Sequence, residues 1–191
     1  MKRLLSCMVM SVCVIFLSTH TALAQGLREP NLSERESFFS RVDELLSWTA
    51  KTASVQFRKE YLVSPTRPHV AFATAEYLTE HGCPPLCGGM TTDDDSILVL
   101  ETDEPWGETL LSAAIVHEGL HTMQLARAHK KISEASCEDW ATWETEAHAL
   151  QHRWLREHGG PAGVYLLIRI GLSVPVFHCD EHGELHADFN H

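Results

Sequence analysis

His117-Glu118-Gly119-Leu120-His121 is the stretch of this chain whose residue types and spacing could do chemistry. Two histidines four apart fall on one face of a helix, so both imidazoles can reach one divalent cation. Glu118, next to the first of them, stands where it could take a proton from water activated by that cation. The chemistry implied is hydrolysis assisted by a zinc ion. The word alone is weakly specific, because a chain this rich in His and Glu contains it by chance roughly one time in ten.

The flanking sequence must therefore carry part of the argument. Glu108 to Met123 reads as one helix without proline, and Val116, Leu120 and Met123 recur at helical spacing with Leu111 and Ile115 beside them. Gly119 costs about 1 kcal/mol of helix propensity relative to Ala, and its missing side chain admits a close neighbour, expected to be a strand or ligand. A catalytic zinc takes three protein ligands and leaves one position for water. The residues after the motif exclude one common third ligand: Gln124 and Arg127 stand where a glycine and a third histidine would be needed. A carboxylate from a later helix remains, and Trp143-Glu144-Thr145-Glu146-Ala147-His148 offers two, Glu144 and Glu146. A helical wheel does not choose between them, because both flank the Trp140, Trp143, Ala147, Leu150, Trp154 stripe.

HEGLH followed by an E-x-E-A helix resembles the zincin-like metallopeptidases of the gluzincin type, over about 50 residues from the Ser96–Glu101 run to that helix. The thermolysin-type N-E-x-x-S-D signature is missing. The resemblance implies a mainly helical zincin-like domain over 25–191, with a small β-sheet beside the motif helix. It implies Zn2+ held by His117, His121 and Glu144, with Glu146 the alternative ligand, and Glu118 as catalytic base. It also implies a peptide or protein substrate that pairs with Ser96–Glu101 as an edge strand. Tyr165, His148 and Arg153 are the candidates for stabilising an oxyanion. The competing expectation is a zincin-fold binding module that keeps zinc for structure and cleaves nothing, since the chain is short and no large second lobe is evident. A third reading is a disulfide-stapled helical module in which the motif is accidental.

Residues 1–24 read as a signal peptide. Lys2 and Arg3 precede the apolar run Leu4 to Leu17, and Ala22-Leu23-Ala24 is a small-x-small cleavage site. An exported chain, periplasmic or secreted, is expected, with no membrane association after cleavage. The whole chain has 15 basic and 26 acidic residues. Without Lys2 and Arg3 the mature chain is formally −13, which argues against nucleic acid or anionic membrane as partner. Cys7 and Cys13 leave with the signal. The remaining Cys83, Cys87, Cys137 and Cys179 are expected to pair as Cys83–Cys87 and Cys137–Cys179, a cysteine zinc site being the alternative.

The rest of the chain predicts an α+β fold. Ser33 with Glu36 reads as a capping box for a helix to about Ala53. His69–Thr74 and Ser96–Glu101 read as strands, Ala75–His81 as a short helix, and Gly88 to Asp95 as a turn region whose Asp93-Asp94-Asp95 is solvated. Ser133 or Ser136 caps a long helix to about His158, and a last helix covers about Pro161 to Leu172. His148 and His152 are expected on the surface. His178, His182 and His186 are expected in a loop or tail.

Overall fold

The computed structural model describes residues 26–53, 68–83 and 88–188. The expected signal peptide and Cys87, with its bridge to Cys83, lie outside the described residues. The elements run β1 (Leu27–Arg28), α1 (Arg35–Ala53), β2 (Val70–Ala73), α2 (Ala75–Glu80), β3 (Gly89–Thr91), β4 (Ile97–Leu100), α3 (Gly107–Ala128), a 3-10 turn (Ile132–Glu134), α4 (Cys137–His158), α5 (Gly160–Ile170), β5 (Val176–Cys179) and β6 (Leu185–Asp188). The fold class is α+β.

Local chemistry explains the helix starts. The Asn31 side chain accepts the amide N–H groups of Ser33 and Glu34 at 3.0 and 3.1 Å. The Glu34 carboxylate accepts the Asn31 N–H at 3.0 Å in return. The reciprocal cap of α1 is therefore Asn31 with Glu34, two residues ahead of the expected Ser33 and Glu36. Helix α4 starts at Ser136, whose hydroxyl accepts the Asp139 N–H while Asp139 accepts the Ser136 N–H. Lys130 pairs with Asp139 and ties the preceding turn to this cap.

One sheet has the order β1-β2-β4-β3, with β2 and β4 parallel and both outer pairs antiparallel. Val70, Ile97 and Val99 pack on one face with α1 and α3, while Ala71, Ala73 and Leu98 pack on the other with Leu78 and Cys83. Burial on both faces is why Ile97–Leu100 is a continuous apolar run rather than an alternating one. β4 is hydrogen-bonded on both sides, by β2 and by β3. The expectation that Ser96–Glu101 is the edge strand is thus corrected, because the outer strand beside the motif helix is β3, inside the stretch read as turn. The main core joins Phe38, Val42, Leu45 and Leu46 of α1 to Ile115, Val116 and Leu120 of α3 and to Leu150, Trp154 and Leu155 of α4. Each such side chain contributes about 1.5–3 kcal/mol on burial.

β5 and β6 form a separate antiparallel hairpin, with His178 opposite His186. The three C-terminal histidines are therefore on and between two strands, not in a tail. The disulfide Cys137–Cys179 ties this hairpin to the first turn of α4. Among the described residues, no helix is long and apolar enough to cross a membrane.

Candidate metal centre

Helix α3 is buried at every position from Ser112 through His121, and His117, Glu118 and His121 are 8, 7 and 2 % exposed. Two glycines let neighbours approach so closely. A Cβ on Gly119 would meet Leu46 Cδ2 at 2.4 Å. The close neighbour this glycine admits is therefore α1, not a strand or ligand. A Cβ on Gly89 would meet the Leu98 carbonyl oxygen at 2.7 Å and Glu118 Cγ at 3.3 Å, so glycine there lets β3 lie against Glu118.

The histidines and the α4 carboxylate converge. The Nε2 atoms of His117 and His121 are 3.1 Å apart. Glu144 Oε2 lies 3.3 Å from His117 Nε2, and Glu144 Oε1 lies 3.4 Å from His121 Nε2. A tetrahedral ion with ligands at about 2.0–2.2 Å spaces them about 3.3–3.6 Å apart, close to these separations, with one Glu144 oxygen facing each imidazole. Two imidazole nitrogens facing each other at 3.1 Å share either one ring's N–H or a cation between them.

The surroundings hold His121 in a ligating form. Gln124 Nε2 donates to Glu146 Oε2 at 2.9 Å, which turns Gln124 Oε1 toward His121 Nδ1, also at 2.9 Å. Nδ1 then carries the proton and Nε2 presents its lone pair. Glu146 is thus placed on Gln124, one step away from the centre, while Glu144 faces both imidazoles. The sequence signal for this relay was Gln124 three residues after His121, on the same helical face.

Electrostatics favour positive charge here. Burial opposes ionisation of His121, but hydrogen bonding to Glu144 and the charge of Glu118 outweigh it and raise its pKa. Burial likewise opposes the Glu144 carboxylate, yet the hydrogen bonds from His117 and His121 bring its pKa far below the usual range. Glu118 accepts a hydrogen bond at 3.0 Å from Thr91 Oγ1 of β3, a residue the sequence reading did not single out. The backbone oxygen of Glu118, 3.2 Å from the same hydroxyl, competes for its proton.

His148 and His152 are not surface residues. His148 and Glu144 are one turn apart, with His148 Nε2 3.7 Å from Glu144 Oε2, and the donor atoms of His117, Glu144 and His148 all lie within 4.8 Å of one another. Burial first, then the neighbouring His117, lowers the His148 pKa to about 3. His152 is fully buried, and burial followed by Arg156 lowers its pKa to about 4. Of the three oxyanion candidates only His148 reaches the centre. Tyr165 is paired with Arg169 and Trp106, and Arg153 with Glu157.

Asp180, Glu184 and His186 form a second close group at the hairpin turn. Asp180 Oδ1 already accepts the N–H groups of His182 and Glu184 there, which explains the arrangement as a capped turn. A cavity of about 380 Å³ opens on the sheet face carrying Ala71 and Leu98, rimmed by Arg28, His69 and Asp94. It shares no residue with the candidate metal centre, and Arg28 is engaged by Glu34 and Glu101. No protein-family model, no curated protein and no solved structure matches this chain.

Proposed function

We propose that this chain is a zinc-dependent metallopeptidase of zincin-like type, exported and cleaving peptide bonds. The observation that carries the reading is the convergence of His117, His121 and Glu144 with donor separations of 3.1, 3.3 and 3.4 Å beside the buried Glu118. A zinc ion held by those three residues would lower the pKa of water from ~15.7 towards ~7 and polarise a carbonyl. Glu118 takes a proton from the attacking water and delivers it to the leaving nitrogen, a step that contributes about 10²–10⁴-fold. Thr91 orients the Glu118 carboxylate for that transfer. The outer strand β3 offers an extended substrate the sheet end next to Glu118, taking the role expected of Ser96–Glu101.

The test is metal content and peptide hydrolysis of the mature chain. Glu118→Gln should keep stoichiometric zinc and lose about 10²–10⁴-fold in rate. His117→Ala and Glu144→Ala should lose the metal. Unchanged hydrolysis in Glu118→Gln would reject the base, and a wild-type chain that retains no zinc would reject the reading.

A second reading, a zinc-stabilised binding module without turnover, draws on one observation. His148 lies with His117 and Glu144 in one group whose donor atoms are within 4.8 Å of one another, and His148 added to the three ligands proposed above would make a closed, structural site. Stoichiometric zinc with no turnover of a broad peptide library would select it.

A further inference from the structure

We propose that the outer face of the β5–β6 hairpin is a second metal site, which takes one divalent transition cation of the zinc kind on Asp180, Glu184 and His186, with His178 holding the His186 ring. The site is separate from the centre between α3 and α4 and does not depend on the metallopeptidase reading.

Strand alternation assembles the donors. Phe177 and Cys179 face α4: Phe177 N–H donates to Thr145 Oγ1 at 3.2 Å, its ring stacks on His148 at 5.2 Å, and Cys179 is bonded to Cys137. Successive side chains of a strand point to opposite faces, so His178 turns away from α4, and His186 lies opposite it in the register. Their rings stack at 5.8 Å and 28°. Asp188 Oδ2, 3.5 Å from His178 Nδ1, holds that ring in turn. Asp180 and Glu184 follow in the turn, joined by the Asp180 N–H to the Glu184 carbonyl at 3.0 Å. The donor atoms of Asp180, Glu184 and His186 lie within 4.8 Å of one another, and His186 Nε2 is 3.1 Å from Asp180 Oδ2. A two-stranded hairpin is marginal alone in water, and here the disulfide and the contacts with α4 keep its outer face in shape.

The turn cap accounts for the backbone and for one oxygen. Asp180 Oδ1 accepts from His182 and Glu184, and Gly183, at φ 77°, closes the turn. Asp180 Oδ2, the Glu184 carboxylate and the two stacked imidazoles take no part in that cap. From Val176 to Asp188 the chain carries four carboxylates, three imidazoles and neither Lys nor Arg, so a cation is the species this face attracts. Two carboxylates held this close repel each other, and a cation between them relieves it. The mixture of imidazole and carboxylate selects the ion. Calcium takes about six to eight oxygen ligands, and magnesium keeps its waters, whereas zinc, copper and nickel accept imidazole nitrogen. Three protein donors at an exposed edge leave the remaining position to water, so the ion exchanges with solution.

The experiment titrates the disulfide-intact mature chain with zinc alone, following the ring resonances of its histidines by NMR and counting bound zinc after dialysis against buffered metal. The His186 ring should shift with zinc in the wild type and equally in His117→Ala, which lacks a ligand of the other centre. His186→Ala should lose that one equivalent and no other. Asp180→Asn keeps an oxygen for the turn cap and removes the charge at Oδ2. It should weaken hairpin zinc by about 10–100-fold, and His178→Ala by about tenfold, with the melting temperature of the metal-free chain nearly unchanged in both. Calcium in large excess should displace none of it. A His186 ring that zinc leaves unmoved would overturn the site, as would hairpin affinity unchanged in both Asp180→Asn and His186→Ala. Displacement by calcium would overturn the choice of cation. Zinc that moves His186 and leaves His117 unmoved would uphold the hairpin site and reject the metallopeptidase reading, so the two fail separately.

Discussion

At the scale of single residues, the interior of α4 holds an imidazole with a measurable consequence. Both ring nitrogens of His152 are buried without a hydrogen-bond partner among the described residues. Its folded pKa is about 4 against an ordinary 6.5. The unfolded chain therefore binds more protons between those values, and stability contributed by the neutral ring is present above about pH 6.5 and lost as pH falls toward 4. His152→Leu removes that proton linkage and an unsatisfied polar group. The variant should narrow the loss of stability between pH 7.5 and pH 5, by about 1–3 kcal/mol. Urea unfolding at the two pH values checks this. An unchanged pH dependence would mean that the ring has a partner or is hydrated.

At the scale of elements, the motif helix is held by how closely α1 and β3 approach it. Gly119 looked like a cost to the helix, and in isolation it is, by about 1 kcal/mol. The contact with Leu46 reverses the balance, because an added methyl must displace a fully buried leucine. Overpacking of this kind costs about 1–3 kcal/mol, so Gly119→Ala should be destabilising by up to about 2 kcal/mol despite its better propensity. Leu46→Ala in the same chain should give a favourable coupling in a double-mutant cycle. A Gly119→Ala chain that melts higher than wild type would show that α1 moves aside at no cost.

At the scale of the whole molecule, the proposed metal centre and the hydrophobic core would be distinct sources of stability. The core spans α1, α3, α4, α5 and one sheet face, while the proposed ligands come only from α3 and α4. Chelated protein should therefore remain folded but melt lower. With zinc at 1,000 times its Kd, binding stabilises by about 4 kcal/mol, which for a chain of this size corresponds to a Tm fall of about 8–16 °C on chelation. Calorimetry with and without chelator measures it. Complete unfolding on chelation would make the metal part of the fold, and no shift would mean that none is bound.

What one helix can display by itself was readable from residue order. HEGLH places two imidazoles and a carboxylate on α3 through 3.6-residue periodicity alone. Ser136 marks the start of α4, and the apolar run at Ile97–Leu100 marks a strand. The α+β class follows from these same local patterns. Choosing Glu144 over Glu146 required the orientation of α4 against α3, since both carboxylates flank the same stripe and only packing decides which one faces the imidazoles. Thr91 and Phe177 stayed hidden for the same reason, and His148, although one of the three oxyanion candidates, was expected on the surface. Thr91 sits 27 residues from Glu118 on a three-residue strand with no alternation to announce it. Phe177 is 29 residues beyond His148, and the two meet only because a hairpin folds back along α4. Periodicity encodes which face a side chain occupies on its own element, whereas contact between faces of different elements is set by the packing of the core, which no local pattern contains.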